Sequence, residues 1–149
     1  MKNIPTTYLD YAATTPVDPR VIEAMLPYFS EFYGNPSSIH TIGQKAENAL
    51  ENARDLVASL LNCRFDEIIF TSCGTESDNL ALRGIALSER ERRGANRILI
   101  SPVEHHAITH TAHQLQRHFG FELDILPVDQ YGMVNPESVA EYLRQDTAI

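Results

Sequence analysis

Residues 67–84 read EIIFTSCGTESDNLALRG, an apolar run joined to a helical pattern through a turn of small residues. The run at 67–71 predicts a buried strand, and the spacing of apolar residues predicts a helix over 75–92. The same order continues downstream, with strands predicted at 97–101 and 122–127, helices at 105–119 and 136–144, and a further strand beginning at 147. Strands and helices that alternate at this spacing predict βαβ units and a mainly parallel sheet covered by helices, an α/β fold.

The first half of the chain predicts helices and turns. Asp18 is a suitable N-cap with Pro19 at the first helical position, and apolar residues continue at helical spacing to Phe29. A turn cluster follows at 33–38, and then a long helix over 41–61. The apolar stripe expected to be buried on this long helix consists of Ala46, Ala49, Leu50, Ala53, Val57 and Leu60.

The sequence divides into a short N-terminal segment, 1–15, and one domain that occupies 16–149. The last predicted strand begins at 147, and the sequence stops two residues later. Because both edges of a parallel sheet need to be paired or covered, we expect this domain to be the N-terminal part of a larger one.

Composition and charge narrow the classes of function. The chain has 149 residues, of which 43% are hydrophobic, and a formal net charge of −8. This acidic balance argues against nucleic acid and anionic membranes as partners, since both attract clustered Lys and Arg. No apolar run is long enough to span a bilayer, and nothing resembles a signal peptide, so the cytoplasm is the expected compartment. The two cysteines, Cys63 and Cys73, predict no disulfide framework.

The turn at 72–75 allows three interpretations. The first amides of a helix lack internal partners and carry the positive end of the helix dipole, so a phosphate can dock there. Gly74 would allow close approach, and the Thr75 hydroxyl would add a donor. Alternatively, Ser72 or Thr75 simply caps the helix. Cys73 could instead be a nucleophile with a lowered pKa, but its thiolate would compete with a phosphate for the same amides.

The histidine-rich stretch at 101–118 follows the next strand. His105 lies at the carboxyl end of that strand, the edge at which open α/β sheets bind ligands, although a histidine there can also serve only as a helix cap. Three further histidines, His106, His110 and His113, share one helix face. They are a weak candidate for a zinc site, because a straight helix presents them along a line rather than around a point.

Four segments in this order resemble the N-terminal part of the cysteine desulfurases, which are pyridoxal phosphate (PLP) enzymes of the class-V aminotransferase fold. The segments are YLDYAATTPVDPRV (8–21), FYGNPSSIHTIGQKAENALENAR (32–54), EIIFTSCGTESDNLALRG (67–84) and VEHHAI (103–108). The Cys-Gly pair at 73–74 looks more like the nitrogen-fixation and iron–sulfur assembly branch than the selenocysteine-lyase branch. The resemblance implies a PLP fold-type I large domain, with a mainly parallel sheet and helices on both faces, that is incomplete at its C-terminus. It also implies a homodimer.

The resemblance assigns roles to particular residues. It implies that Gly74 and Thr75 hold the PLP phosphate, and that His105 stacks on the pyridine ring and is a candidate acid and base. Asn35 lies in a loop that approaches the active site in the family. The implied reaction converts L-cysteine to L-alanine and leaves the sulfur on the enzyme as a persulfide. That sulfur passes to a scaffold protein for iron–sulfur cluster assembly, or to tRNA thiolation.

Some of the family's residues have no match in this sequence. Neither Lys2 nor Lys45 matches the lysine that forms the Schiff base with PLP, and neither Cys63 nor Cys73 matches the persulfide cysteine. The full-length protein is therefore expected to be an active transferase, and the 149-residue chain alone to be inactive. Two alternatives stay open: another class-V PLP enzyme, such as a selenocysteine lyase or an aminotransferase, and a non-catalytic module that binds a phosphate ligand or a partner.

Overall fold

The structure is a computed structural model that describes residues 7–149. The chain forms two compact units, which divide between Ile69 and Phe70. Each unit has its own helices, and the strands belong to the second. No helix within the described residues is both long enough and apolar enough to cross a membrane.

The first unit is helical. It contains α1 (Pro19–Met25), α2 (Pro27–Ser30), α3 (Thr41–Leu61) and a single 3-10 turn at Phe65–Glu67. The predicted start of α1 is confirmed, since the Asp18 carboxylate accepts the backbone N–H of Arg20 at 2.8 Å and Pro19 occupies the first turn. The helix predicted to continue to Phe29 is instead divided at Pro27, whose ring nitrogen cannot donate a helical hydrogen bond.

The long helix α3 has the predicted bounds, and local interactions explain both ends. The His40 side chain caps its start, because Nδ1 accepts the N–H of Gly43 at 3.2 Å. Asn62 ends it in the left-handed conformation, with φ 53°. The loop before α3 packs so closely against its first turn that a Cβ on Gly43 would lie 2.3 Å from the Ser38 carbonyl oxygen.

The stripe predicted to be buried on α3 is wrong: three of its residues are half-buried and three are exposed. The residues that are buried on this helix are Gly43 and Ala58, whereas Leu60 has 77% of its surface exposed. Periodicity identifies the apolar face of a helix, but burial needs a second element packed on that face. The element that packs on α3 from its C-terminal side is the three-residue turn Phe65–Glu67, which is too short to cover the stripe.

The second unit contains the sheet. It is built from α4 (Gly74–Arg93), β1 (Arg97–Ile100), α5 (His106–Phe119), β2 (Glu122–Ile125) and α6 (Pro136–Tyr142). Strands β1 and β2 pair in parallel, with Arg97 opposite Glu122. Both α4 and α5 end at a glycine in the left-handed conformation, Gly94 and Gly120.

The strand predicted to begin at 147 pairs with β1 on the side away from β2. Arg97 forms a parallel bridge with Thr147, and the N–H of Ala148 donates to the Arg97 carbonyl at 2.7 Å. The N–H of Leu99 then donates to the Ile149 carbonyl at 2.9 Å. β1 is therefore the central strand of this part of the sheet, and the prediction of parallel βαβ units is confirmed.

One apolar cluster forms the core of the second unit. Helices α4 and α5 pack against each other, and α5 packs on both strands. The buried members of the cluster are Leu82, Ala86, Ile98, Ile100, Ala112, Leu115 and Phe121. This core holds the two helices rigidly side by side, and it thereby fixes their N-terminal ends, where the candidate site lies.

The strand predicted at 67–71 is not formed. Glu67 belongs to the 3-10 turn, and residues 68–71 have no regular structure, although Ile68 has extended dihedral angles. Ile69 and Phe70 are exposed rather than buried. The apolar run gives the backbone an extended conformation, but a strand also needs a neighbouring strand, and no strand within residues 7–149 pairs with this run.

Candidate functional site

The turn that leads into α4 is held by the Glu76 side chain. Its carboxylate accepts the backbone N–H of Ser72 at 2.7 Å and the Ser72 hydroxyl at 2.6 Å. These two donors, the hydroxyl first, lower the pKa of Glu76 below its ordinary value. Glu76 lies in the first turn of α4, where the helix dipole also favours a negative charge.

A second set of hydroxyl groups braces the same turn from the other side. The hydroxyls of Thr71 and Ser77 lie 2.6 Å apart, and both approach the Cys73 carbonyl, at 3.1 and 3.4 Å. Residues 71–77 therefore tie their own backbone into one conformation. The turn is built by local hydrogen bonds and needs no ligand to hold its shape.

Helix α4 differs from the other long helices in its cap. Helix α3 is capped by His40 and α5 by His105, whereas the N-cap of α4, Cys73, makes no side-chain capping hydrogen bond within residues 7–149. The first amides of α4, including those of Gly74 and Thr75, therefore have no intrahelical acceptor and no oxygen cap. A Cβ on Gly74 would meet nothing within 4 Å, so the space beside the Gly74 Cα is open.

Cys73 is exposed and lies beside the same amides. The pKa of its thiol is lowered below 9.0, chiefly by the backbone N–H of Glu76, which faces the sulfur without closing a capping hydrogen bond, and next by the Ser72 hydroxyl. The Ser72 hydroxyl lies 3.8 Å from the sulfur. Both the thiolate and a phosphate would thus be stabilised at this helix start, and the sequence-based expectation that they compete is compatible with the geometry.

His105 is the N-cap of α5. Its Nδ1 accepts the backbone N–H of Ala107 at 3.1 Å, and this hydrogen bond fixes the orientation of the ring. Because Nδ1 is the acceptor, the neutral imidazole carries its proton on Nε2. His105 therefore caps a helix, as the simpler interpretation of the sequence allowed, and its Nε2–H stays available to a neighbouring molecule.

Thr75 and His105 line the same cleft, which has a volume of about 440 Å³. Gly74 is adjacent to Thr75 and begins α4. The structure thus brings two of the predicted site residues together in one cleft, although they lie thirty positions apart in sequence and on different helices. The cleft is also lined by Asn79, Arg83, Thr111 and Gln114.

A hydrogen-bonded network between α4 and α5 forms one wall of this cleft. The Thr111 hydroxyl donates to Asn79 Oδ1 at 2.8 Å, and Asn79 Nδ2 donates to the Thr75 carbonyl at 2.9 Å. Arg83 Nε also donates to Asn79 Oδ1, at 3.3 Å, and the Arg83 guanidinium donates to Gln114. Sequence reasoning missed this network. Its one sequence signal is that Asn79 lies four residues after Thr75, on the same helix face.

The histidines proposed as a weak zinc candidate do not converge. The rings of His106 and His110 stack with their centroids 5.1 Å apart, and His113 Nδ1 lies 3.4 Å from the side-chain oxygen of Gln116. Within residues 7–149 no group of three or more His, Cys, Asp or Glu side chains is placed to hold a metal ion. The structure gives the zinc interpretation no support.

Asn35 belongs to the first unit. Its side-chain oxygen accepts the N–H of Ser37 at 2.9 Å, and its carbonyl accepts the N–H of Ser38 at 2.9 Å. These bonds make the loop at 34–38 a tight turn, as the sequence predicted.

The donors around the cleft suit a phosphorylated aromatic molecule. The first-turn amides without a side-chain cap, the Thr75 hydroxyl and the dipole of α4 favour a phosphate group. No hydrogen bond within residues 7–149 occupies the Thr75 hydroxyl. The exposed imidazole of His105 offers a flat face for an aromatic ring. The residues present therefore fit PLP.

The sequence matches the aminotransferase class-V family over residues 7–149. The cysteine desulfurase IscS 1 of Archaeoglobus fulgidus is 47% identical over 142 residues, which are 95% of this chain and 36% of that protein. The cysteine desulfurase IscS of Methanosarcina thermophila is 48% identical over 142 residues, which are 95% of this chain and 34% of that protein. The chain thus spans about a third of the length of these curated relatives.

Solved structures have the same fold. A NifS-like protein superposes with a TM-score of 0.86 at 40% identity, over 93% of this chain and 37% of that one. A structure of SspA in complex with cysteine also gives a TM-score of 0.86, at 36% identity, over 95% of this chain and 40% of that one. These matches confirm the predicted fold class and the resemblance found in the four sequence segments.

Proposed function

Because the chain belongs to the class-V aminotransferase family, we propose that it supplies the phosphate-binding and ring-stacking side of the PLP site in a cysteine desulfurase. The observation that carries the proposal is the shared cleft: Thr75 and His105 line it together, next to helix-start amides that have no side-chain cap. The names of the relatives support L-cysteine as the substrate.

The residues at the start of α4 bind the phosphate and hold the turn in shape. The amides of Gly74 and Thr75, together with the Thr75 hydroxyl, donate hydrogen bonds to the phosphate, and the α4 dipole stabilises its negative charge. The Glu76 and Ser77 side chains hold the turn in shape from outside the anion position. When bound, PLP withdraws electrons from the carbon atoms of an amino-acid substrate.

His105 orients the aromatic ring and handles a proton. Its imidazole is held in one orientation by the N–H of Ala107, so it can present a fixed face to the pyridine ring. Its Nε2 faces away from that hydrogen bond and can donate or accept a proton near the reacting carbon. One side chain thereby serves both as a stacking surface and as the candidate acid and base.

We extend the proposal to the whole protein on the strength of the family. Residues 16–149 form part of its PLP-binding large domain, preceded by the segment 1–15. The whole protein works as a homodimer in the cytoplasm and converts L-cysteine to L-alanine. It passes persulfide sulfur to a scaffold protein for iron–sulfur cluster assembly, or to tRNA thiolation. The IscS and NifS-like names of the relatives support this assignment.

Binding measurements on the 149-residue chain test the site. PLP and pyridoxal, which lacks the phosphate, are titrated against the wild type and against Thr75→Val and His105→Ala. Thr75→Val should weaken PLP binding by roughly tenfold, the loss of one charge-assisted hydrogen bond, and leave pyridoxal binding unchanged. His105→Ala should weaken both, because the ring contact is common to the two ligands.

Matched variants control for general effects of these substitutions. Thr41→Val removes a threonine from the first turn of α3, and His118→Ala removes a histidine from the last turn of α5. Neither should change PLP binding. The proposed phosphate-binding role of Thr75 is wrong if the ratio of the pyridoxal dissociation constant to the PLP dissociation constant is no larger for the wild type than for Thr75→Val.

Turnover by this chain gives a separate test. Neither Lys2 nor Lys45 matches the family's Schiff-base lysine, so the 149-residue chain mixed with PLP and L-cysteine should release no alanine beyond the rate of free PLP. If the chain releases alanine above that rate, and Lys45→Arg abolishes the release, then Lys45 acts as a Schiff-base lysine and the present assignment is wrong.

A further inference from the structure

We propose that Asn79 and Thr111 form a positioning pair that fixes the phosphate-binding end of α4 relative to the ring-stacking histidine on α5. This inference rests on the proposed function, since it concerns how the two halves of the PLP site are held in register. Both members of the pair line the cleft, and the role proposed for them is to hold their neighbours in place rather than to bind the phosphate or the ring. The effect of the pair acts through Thr75 on one helix and His105 on the other.

The geometry makes Asn79 the junction of the network. Its amide group makes three hydrogen bonds: Nδ2 donates to the Thr75 carbonyl, and Oδ1 accepts from both Thr111 and Arg83. Arg83 is a donor only, so the atom facing it must be the amide oxygen, and this determines which way the Asn79 amide is turned. The amide nitrogen, Nδ2, is then directed at Thr75, the residue whose hydroxyl is proposed to bind the phosphate.

Thr111 anchors this junction to the neighbouring helix. It is 3% exposed and is the buried polar residue of the second unit's described core. A buried hydroxyl needs a partner, and Asn79 Oδ1 at 2.8 Å is that partner. Thr111 lies in the helix that His105 caps, between the core residues and the cleft. A shift of its hydroxyl would therefore move Thr75 relative to His105.

The binding of inorganic phosphate and the binding of PLP depend differently on how α4 and α5 are aligned. Inorganic phosphate contacts only the start of α4, whereas PLP contacts α4 through its phosphate and α5 through its ring. The ratio of the phosphate dissociation constant to the PLP dissociation constant thus isolates the alignment of the two helices. A residue that merely stabilises the fold would leave this ratio unchanged in the molecules that remain folded.

The experiment measures this ratio by titration of the 149-residue chain, with melting temperatures recorded in parallel. Thr111→Val removes the hydroxyl but keeps the shape of the side chain, and we expect it to lower the ratio by roughly five- to tenfold. Thr111→Ser restores the hydroxyl and should bring the ratio back to within about twofold of the wild type. Ala86→Gly, a buried α4 position outside the cleft, is the control for lost stability and should leave the ratio unchanged.

The outcomes separate this inference from the function on which it rests. If the wild type prefers PLP and His105→Ala removes that preference, but Thr111→Val keeps the wild-type ratio, the positioning pair is overturned and the proposed site stands. If the wild type binds PLP no better than phosphate, both are overturned. Should Thr111→Val fail to fold, Asn79→Asp replaces the donor to the Thr75 carbonyl at constant size. An unchanged ratio in that variant would also overturn the pair.

Discussion

The two units of this chain are organised differently, although both are rich in helix. The second unit has a buried apolar cluster on which two helices and two strands converge. The first unit holds its described conformation mainly through helix caps and close contacts between the loop at 34–38 and the start of α3, and most of its large apolar side chains are exposed. A packed core can place side chains from distant parts of the sequence within a cleft. Local caps cannot do so, and the candidate site accordingly lies in the second unit.

The largest expected contrast concerns two leucines, one on a helix of each unit. Leu115 on α5 is fully buried, whereas Leu60 on α3 is 77% exposed. Leu115→Ala should lower the free energy of unfolding by about 3 kcal/mol, because it leaves a cavity in the core. Leu60→Ala should change it by less than about 0.5 kcal/mol. Urea denaturation of the two variants measures both values, and equal losses would abolish the distinction between the units.

The second contrast concerns two glycines. An added methyl group at Gly43 would collide with the carbonyl oxygens of Ser38 and Asn35, at 2.3 and 2.7 Å, whereas at Gly84 it would meet nothing within 4 Å. Gly43→Ala should therefore destabilise the chain by about 1–3 kcal/mol. Gly84→Ala should stabilise it by up to about 1 kcal/mol, since alanine favours a helix. Thermal unfolding of the pair tests this. A harmless Gly43→Ala would mean that the close contact is not what orders the first unit.

Features that depend on nearby residues were predictable from the sequence. The bounds of α3, the Asp18 cap and the glycine that ends α5 all follow from side chains within a few residues of the feature. The turn at 129–132 is of the same kind, with the Gly132 N–H donating to the Asp129 carbonyl at 3.0 Å. The shared cleft of Thr75 and His105 was implied through family resemblance and strand order, rather than by local pattern.

Features that depend on partners distant in sequence were not predictable. The run at 67–71 has the composition of a strand, but no strand among the described residues pairs with it. The stripe on α3 has helical spacing, but no described element covers it. The hydrogen bond from Thr111 to Asn79 joins residues 32 positions apart, and neither residue type indicates the other. In each case the missing information was which surfaces meet.

A smaller effect is expected from pH, and it concerns the turn before α4. The pKa of Glu76 lies below its ordinary value of 4.5 because the Ser72 hydroxyl and amide donate to the ionised carboxylate. This stabilisation is present above pH 4.5 and is lost as the pH falls through the lowered pKa. The stability of the wild type should therefore fall more steeply below pH 4.5 than that of Glu76→Gln. Parallel curves from urea titrations between pH 3 and 7 would contradict this account of the turn.

The smallest expected change is in the reactivity of one thiol. The lowered pKa of Cys73 should place the midpoint of its alkylation by iodoacetamide below pH 9.0 in a Cys63→Ser background. Inorganic phosphate should slow this reaction, because it would occupy the amides that stabilise the thiolate. Mass spectrometry of the modified peptide measures the rate. Alkylation that phosphate does not affect would indicate that the anion binds elsewhere.

The central claim is that the uncapped start of α4 is the anion-binding end of the site, whereas the capped start of α3 is not. Amide chemical shifts recorded while inorganic phosphate is added to the isotope-labelled chain test it directly. We expect saturable shifts at Gly74, Thr75 and Glu76, and none at Gly43, whose N–H donates to His40 Nδ1. Shifts of equal size at both helix starts, or none at 74–76, would contradict it.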